Sequence, residues 1–225
     1  MNTYIKTLET EFQRNADTEI AVGQKAYMKN HFEFYGIKSP IRKEISKPFL
    51  QKAYLPKKSE IETIVKILWN KPQREFQYFT QELVFKYCKQ FEKKDIALFE
   101  FMITHKSWWD TVDYIAAKIT GEYFKKFPEQ INKYVEKWLT SENIWLQRTA
   151  VLFQLKYKHT TDTELLSYII NSLTGSKDFF INKAIGWVLR EYGKTDPDWV
   201  TEFVNKTELA TLSRKEALRI INKEN

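Results

Sequence analysis

The chain has 225 residues, of which 43% are hydrophobic and 29% charged, which is enough to bury a substantial core. Its 36 Lys and Arg residues outnumber 29 Asp and Glu residues, and the net charge of +7 is compatible with a polyanionic partner. Cys88 is the single cysteine, which excludes an intrachain disulfide, and every apolar run falls short of the roughly 18 residues of a membrane span. We therefore expect a soluble, cytoplasmic protein.

From its first residues onward, the chain shows the spacing of amphipathic helices. Apolar side chains between Tyr4 and Phe12 recur every three or four residues, and similar spacing continues along the sequence with little strict alternation. Gly and Pro are few, six of each, and no Asn-Gly or Asp-Gly hairpin dipeptide occurs. Helix starts are indicated at Asp196-Pro197 and by a capping box at Ser213/Glu216. These features predict an all-α protein.

Four tyrosines near predicted helix ends recur at an almost constant spacing. They lie 36, 34 and 35 residues apart, at Tyr87, Tyr123, Tyr157 and Tyr192. A helix pair that repeats about every 35 residues is typical of an α-solenoid of HEAT-like repeats, although a compact bundle is the alternative. Because no linker or low-complexity segment interrupts the pattern, we expect residues 1–225 to form one domain. Its helices should form a curved array with a concave binding surface.

Residues 107–113 combine two indoles with two carboxylates in an otherwise basic chain. On a helix, Trp109 and Asp113 are four residues apart and share a face. An indole beside a carboxylate suits a positively charged guest, because the ring quadrupole and the anion both attract a cation. The alternative is an ordinary amphipathic helix with a core Trp and a solvated Asp. Counting from Tyr123 places Asp113 about 80° from the core stripe, which predicts a partly buried carboxylate.

A second set of residues suits a nucleic-acid surface. By helical counting, Arg148, Trp187 and Arg190 project from the side opposite the tyrosines. Guanidinium groups pair with phosphate and indoles pack on sugar or base, but each residue alone could instead be a core indole or a solvated arginine. Lys156 and Lys194 lie beside these segments, and their charge is expected to steer DNA in a salt-dependent way.

Motifs for cofactors and metals are missing from the sequence. There is no phosphate-binding Walker loop, no dinucleotide-binding glycine motif and no serine-hydrolase motif. The three histidines fit no metal-ligand spacing with the single cysteine. The sequence therefore predicts neither a cofactor nor a metal site.

Four segments carry a resemblance to a known family. They are YMKNHFEFYGIKSPIRK from Tyr27, KSWWDTVD from Lys106, NIWLQRTAVLFQLKYK from Asn143 and FFINKAIGWVLREYGKT from Phe179. In content, order and spacing the chain resembles the AlkD-like family of DNA alkylation repair proteins, which are HEAT-like-repeat DNA glycosylases. The segments span most of the chain, and the combination of motifs is highly specific.

The resemblance implies both an activity and the residues that perform it. It implies excision of positively charged alkylated purines, chiefly 3-methyladenine and 7-methylguanine, from double-stranded DNA during base excision repair and without a cofactor. The family's catalytic carboxylate falls on Asp113, its aromatic walls on Trp109 and Trp187, and its DNA-contacting arginine on Arg148. We expect the protein to act as a monomer with no obligate protein partner.

The chemistry implied by the resemblance is consistent with this set of residues. A cationic purine is already a good leaving group, and Asp113 would stabilise the oxocarbenium character left on the deoxyribose. Either a flipped or a stacked base is compatible with the sequence, and the lack of an obvious base-reading cluster favours catalysis from the backbone side. The alternative function is a non-catalytic helical-repeat scaffold that binds nucleic acid or protein.

Overall fold

The computed structural model describes residues 3–221, and all regular structure in that range is helical. An isolated bridge between Glu33 and Gln73 is the one β contact found there. None of the described helices has the length and apolar composition that a membrane crossing needs. The all-α prediction is therefore confirmed. Residues 1–2 and 222–225, the two ends of the expected domain, lie outside the described range.

The chain divides into two compact units, Met1–Phe91 and Glu92–Asn225. The single domain expected from the sequence remains a prediction. The helices of the first unit are α1 (Thr3–Arg14), α2 (Thr18–Tyr27), α3 (Ser39–Ser46), α4 (Ile61–Trp69) and α5 (Arg74–Phe85).

The core of the first unit includes the apolar face of α1. The buried side chains of this helix form one stripe, Tyr4, Ile5, Leu8 and Phe12, as the spacing in the sequence predicts. The buried hydroxyl of Tyr4 donates to the Phe49 carbonyl at 2.8 Å. Beyond α5, the hydroxyl of Tyr87 donates to the Pro56 carbonyl at 2.5 Å. Each buried phenol therefore has a hydrogen-bond partner, which removes the cost of burying an unpaired polar group.

The second unit carries all the candidate site residues. Its helices are α6 (Ile96–Thr104), α7 (Trp109–Tyr114), α8 (Gly121–Lys126), α9 (Ile131–Leu139), α10 (Ile144–Leu152), α11 (Thr163–Ser172), α12 (Phe179–Tyr192), α13 (Pro197–Lys206) and α14 (Thr211–Ala217). A π-helical segment, Ile115–Thr120, joins α7 to α8 without a break. The result is one long helical element from residue 109 to residue 126.

Helices of this unit stack in chain order. The helix α10 packs against α7 and the π segment and also against α12, which in turn packs against α14. Meanwhile α9 packs against both α10 and α11. Each helix therefore contacts its own pair and the neighbouring pair, which is the arrangement of an α-solenoid. The expected curvature and concave surface stay predictions.

The repeat is regular at the helix starts. The residues that precede α5, α7, α10 and α12 are each 35 residues apart, at Gln73, Trp108, Asn143 and Asp178. Counted from the residue that precedes each helix, the repeated tyrosine comes 14 residues later for Tyr87, Tyr157 and Tyr192. Tyr123 comes 15 residues after Trp108. A π turn holds one residue more than an α turn, so the segment Ile115–Thr120 accommodates the extra residue.

Two of the repeated tyrosines connect neighbouring helix pairs. The hydroxyl of Tyr123 donates to the Lys93 carbonyl at 2.9 Å, and that of Tyr157 donates to the Gly121 carbonyl at 2.7 Å. Burial raises the pKa of both phenols well above the ordinary value, so both remain protonated donors. The periodic tyrosines are therefore structural residues that fix the spacing of the stack.

One of the two predicted helix starts is confirmed and the other is wrong. Asp196 is the N-cap of α13 and Pro197 is its first residue, as expected. The helix α14 begins at Thr211, ahead of the predicted cap at Ser213. The hydroxyl of Ser213 instead donates to the Asn182 carbonyl of α12 at 2.8 Å. Ser213 therefore makes a contact between helices and does not cap α14.

Candidate active site

The helix α7 starts at Trp109 and carries Asp113 one turn later. Trp108 precedes it in extended conformation, with φ −160° and ψ 159°. Val112 and Ile115 are fully buried, so this side of the helix is held in the core. Asp113 lies beside that stripe, and its side chain is 14% exposed. The partly buried carboxylate predicted by helical counting is therefore confirmed.

Arg148 of α10 holds this carboxylate with a two-pronged contact. Its Nε donates to Oδ1 of Asp113 at 2.6 Å, and its Nη2 donates to Oδ2 at 2.8 Å. The remaining nitrogen, Nη1, donates to the carbonyl of Phe180 at the start of α12. The Arg148 side chain is only 4% exposed. The prediction that it lies on an open surface is therefore wrong. A bidentate, charge-assisted pair fixes the orientation of the carboxylate.

The environment of Asp113 acts on its protonation in two directions. Burial raises the pKa of its carboxyl above the ordinary value, whereas the hydrogen bonds and the positive charge of Arg148 lower it. The charge of Asp110, three residues earlier, raises the pKa further. Arginine keeps its charge at every working pH, so its partner is best satisfied as an anion. The pair with Arg148 therefore favours the ionised form of Asp113 against the effect of burial, and removing Arg148 would raise the pKa of this carboxyl further.

Three aromatic rings pack together beside the Asp113–Arg148 pair. The ring centroid of Trp108 lies 5.7 Å from that of Trp145 and 5.1 Å from that of Phe180, and the last two are 5.0 Å apart. The three rings come from the starts of α7, α10 and α12. Trp145 lies three residues before Arg148 on α10, and its ring belongs to this packed cluster. The aromatic cluster formed by Trp108, Trp145 and Phe180 therefore links the three helix starts.

The two indoles predicted as site walls are half-buried. Trp109 is the first residue of α7, one turn before Asp113 on the same face. Trp187 lies on α12, two turns beyond Phe180 and on the same helix face. The Phe180 carbonyl that accepts from Arg148 thus belongs to the same helix as Trp187, two turns before it.

Arg190 contacts a carboxylate of α14. It forms an ion pair with Glu216, whose side chain is 7% exposed. Lys183 reaches the same carboxylate at 2.6 Å and Arg219 at 3.5 Å. Burial, followed by the charges of Arg190, Arg219 and Arg148, lowers the pKa of Lys183. Three cations around one anion leave a local excess of positive charge on this side of α12.

The two lysines predicted to contact DNA share one acidic partner. Nζ of Lys156 lies 3.0 Å from a carboxylate oxygen of Glu191, and Nζ of Lys194 lies 2.5 Å from the other. Burial pushes the pKa of Glu191 upward, but the hydrogen bonds from Lys194 and Lys156 outweigh it, so that pKa is lowered. Both lysine side chains are more than half exposed. Their contact with DNA remains a prediction.

Comparison with known proteins places the chain in a family. A family model described as DNA alkylation repair enzyme matches residues 8–221. The chain belongs to that family. A solved structure, described as a predicted DNA alkylation repair enzyme from Enterococcus faecalis, is 31% identical and has a TM-score of 0.86. The match covers 93% of this chain and 98% of that one. No curated protein matches the chain.

Within this member of the family, the regular helix starts reveal a relation that the tyrosine spacing obscured. The fifth residue of the helix is Asp113 in α7, Arg148 in α10 and Lys183 in α12. These three side chains therefore occupy the same position in consecutive repeats. Counting from the tyrosines hides this match because of the extra residue before Tyr123. Counting from the WWDT, NIWL and DFFI segments, which begin at Trp108, Asn143 and Asp178, would have exposed it.

Sequence reasoning also missed two groups that hold the site. The Phe180 contact uses a backbone carbonyl, which no side-chain pattern can signal. Glu216 was assigned to a capping box, whereas it holds cations of α12. Among the described residues, no group of three His, Cys, Asp or Glu side chains is arranged to hold a metal ion.

Proposed function

We propose that the chain is a DNA glycosylase that excises positively charged alkylated purines, including 3-methyladenine and 7-methylguanine, from duplex DNA by hydrolysis of the N-glycosidic bond. The observation that carries this proposal is the Asp113 carboxylate, held by two hydrogen bonds from Arg148 one turn after Trp109. Membership of the DNA alkylation repair enzyme family supports the class of substrate.

The proposed reaction needs a fixed negative charge more than a proton donor. Alkylation makes the purine cationic, so it leaves as a neutral base when the glycosidic bond breaks. Positive charge then develops on the deoxyribose, where Asp113 would stabilise it and orient the attacking water. An electrostatic group of this kind typically contributes about 10²–10³ in rate. Neutral lesions lack the activated leaving group and should be poor substrates.

The surrounding residues have separate roles in this proposal. Trp109 and Trp187 present indole faces to the cationic lesion or sugar, each contributing roughly 0.5–2 kcal/mol. Arg148 orients Asp113 through its two hydrogen bonds. Arg190, Lys156 and Lys194 supply charge for the phosphates. We propose that the sugar approaches Asp113 from the backbone side, with no dedicated base pocket.

One assay separates this function from its alternative. Purified protein is incubated with methylated duplex DNA, and the released free bases are quantified, with heat-inactivated protein as the blank. Release of 7-methylguanine and 3-methyladenine is expected. Binding to the same duplex without release would overturn the glycosylase proposal and favour a non-catalytic nucleic-acid-binding scaffold.

The physical state of the protein is a further part of the proposal. We propose that it acts on double-stranded DNA as a monomer, without an obligate protein partner, in the cytoplasm. Light scattering of the purified chain, alone and with a short duplex, tests the stoichiometry. A stable dimer in both samples would contradict it.

A further inference from the structure

Phe179 is an exposed aromatic residue at the edge of the candidate site. It is the first residue of α12 and is 58% exposed, and it is the one phenylalanine among the exposed large hydrophobic side chains of the described range. Exposing such a ring to water is unfavourable, by roughly 25 cal/mol for each Å² of apolar surface. A binding role would account for its position.

The repeat relates this residue to Trp109. Each is the first residue of its helix, α12 for Phe179 and α7 for Trp109, and they are 70 residues apart, which is two periods of 35. On α12, Lys183 and Trp187 follow Phe179 at intervals of four residues, so all three lie on the same side of the helix. An aromatic residue therefore precedes a charged residue by one turn in both helices, as Trp109 precedes Asp113.

Contacts beneath the exposed ring hold it in place. The ring centroid of Phe179 lies 5.5 Å from that of Phe180, in an edge-to-face arrangement. Phe180 packs in turn against Trp108 and Trp145 in the aromatic cluster, and its carbonyl accepts from Arg148. A ring supported in this way loses little conformational freedom when a ligand stacks on it.

We propose that Phe179 is a third aromatic surface of the site, on which an unpaired base of the DNA stacks next to the lesion. The proposal rests on the proposed function, because it takes DNA as the ligand. Positive charge from Lys183 and Arg190 on the same side of α12 complements a nucleic acid strand. Aromatic rings bind unstacked bases of any sequence, since every base has a π face.

The test compares binding of the full chain to two duplexes of identical sequence, one fully paired and one with a tetrahydrofuran abasic analogue that leaves the opposite base unpaired. Phe179→Ala should weaken binding to the abasic duplex by about tenfold and to the paired duplex by less than about twofold. Phe179→Trp should restore the preference. Fluorescence of 2-aminopurine opposite the abasic analogue should be quenched by the wild type and not by Phe179→Ala.

Tyr168→Ala is the matched control, since Tyr168 is an exposed aromatic residue on α11, at 46% exposure, and should leave both affinities unchanged. Equal affinities of wild type and Phe179→Ala for the abasic duplex would overturn the inference, as would an equal loss on both duplexes. Either result would leave the glycosylase proposal standing. That proposal fails separately if the wild type binds DNA and releases no base.

Discussion

The proposed mechanism requires Asp113 to remain charged in a place where burial favours the neutral acid. A buried carboxylate without a partner would take up a proton and lose its ability to stabilise a cation. Arg148 resolves this conflict with two short hydrogen bonds, and the Phe180 carbonyl occupies its third nitrogen. Removing one member of such a buried pair typically costs about 3–5 kcal/mol, because the other is left uncompensated. In the proposed mechanism, the pair would therefore serve both the stability of the fold and the chemistry.

Replacing Asp113 by asparagine should separate catalysis from binding. We expect Asp113→Asn to reduce single-turnover release of 7-methylguanine by about 10²-fold or more, since a neutral amide cannot stabilise a developing cation. DNA affinity should change little or rise, because a negative charge is removed from the surface that meets the phosphates. Release is measured by chromatography and affinity by fluorescence anisotropy.

Asp110→Asn is the control for that substitution. It removes the same charge three residues earlier on α7, so a general electrostatic effect would appear in both variants. We expect Asp110→Asn to retain most of its activity. If Asp113→Asn retained full activity, the carboxylate would have no part in the mechanism.

The rate should depend on pH through the protonation of Asp113. Burial raises the pKa of this carboxyl above its ordinary 3.8, so activity should fall on the acid side with a midpoint higher than that value. Arg148→Gln removes the two interactions that lower the pKa, and the midpoint should move further toward neutral pH. The measurement is single-turnover release over a pH series for both proteins.

A matched comparison separates this effect from DNA binding. Lys156→Gln removes one exposed charge and leaves Asp113 and Arg148 in place. The pH at which its activity falls by half on the acid side should therefore equal that of the wild type. An acid midpoint that stays the same in Arg148→Gln would show that another group controls the rate.

At the scale of elements, the long helical segment that carries Asp113 differs from its counterparts by one residue. The helix starts keep a period of 35 residues, whereas the tyrosine spacing runs 36, 34 and 35. The π segment Ile115–Thr120 takes up the extra residue just after Asp113. The start of the helix and the tyrosine hydrogen bond at its end can therefore both match the neighbouring repeats. π turns of this kind are frequent at functional sites.

Close packing at the end of this element should make Gly121 sensitive to substitution. A Cβ at Gly121 would lie 2.8 Å from the carbonyl oxygen of Phe153, a backbone atom that cannot move independently of its helix. We expect Gly121→Ala to lower the free energy of unfolding by about 1–3 kcal/mol, as overpacking usually does. Chemical denaturation monitored by circular dichroism measures the change.

Gly23→Ala provides the opposite expectation. Gly23 lies within α2, and a Cβ there would meet nothing within 4 Å. Alanine favours helix more than glycine does, so this variant should be slightly stabilised, by about 0.4–1 kcal/mol. If both variants had the same stability as the wild type, the close approach at Gly121 would make no contribution to the free energy of unfolding.

Periodicity predicted the elements well because burial selects one helix face. Leu146, Ala150 and Phe153 recur at intervals of four and three residues, and all three are buried. Helical counting could not reveal that Arg148 is buried too, since its partner comes from another repeat. Contacts between repeats determine such positions, and a pattern along one helix contains no information about them.

The charge of the whole molecule leads to a prediction about salt. Binding to DNA should weaken linearly on logarithmic scales as salt rises, because each phosphate contact releases counterions. Lys156 and Lys194 are exposed and share Glu191. Replacing both with glutamine should reduce the steepness of the salt dependence by up to about two contacts. Anisotropy titrations at several salt concentrations supply the slopes.

Lys66→Gln combined with Lys206→Gln is the matched control. Both residues are exposed, each is paired with a glutamate four residues earlier, and the double variant has the same net charge as the test variant. If binding depended only on net charge, both double variants would show the same slope. We expect the control to keep the wild-type slope. This result would assign the phosphate contacts to Lys156 and Lys194, at the ends of α10 and α12.

The contact between Arg148 and the Phe180 carbonyl has a consequence for the synthesis of the chain. Ribosomes deliver a polypeptide from its N-terminus, and folding begins before the chain is complete. Asp113 and Arg148 emerge well before Phe180, so the guanidinium meets its backbone acceptor only after α12 has docked. A nascent or truncated chain that ends before this point lacks one of the contacts that orient the carboxylate. Incomplete chains should therefore release no alkylated base from DNA, and full activity should begin only when most of the chain has been translated.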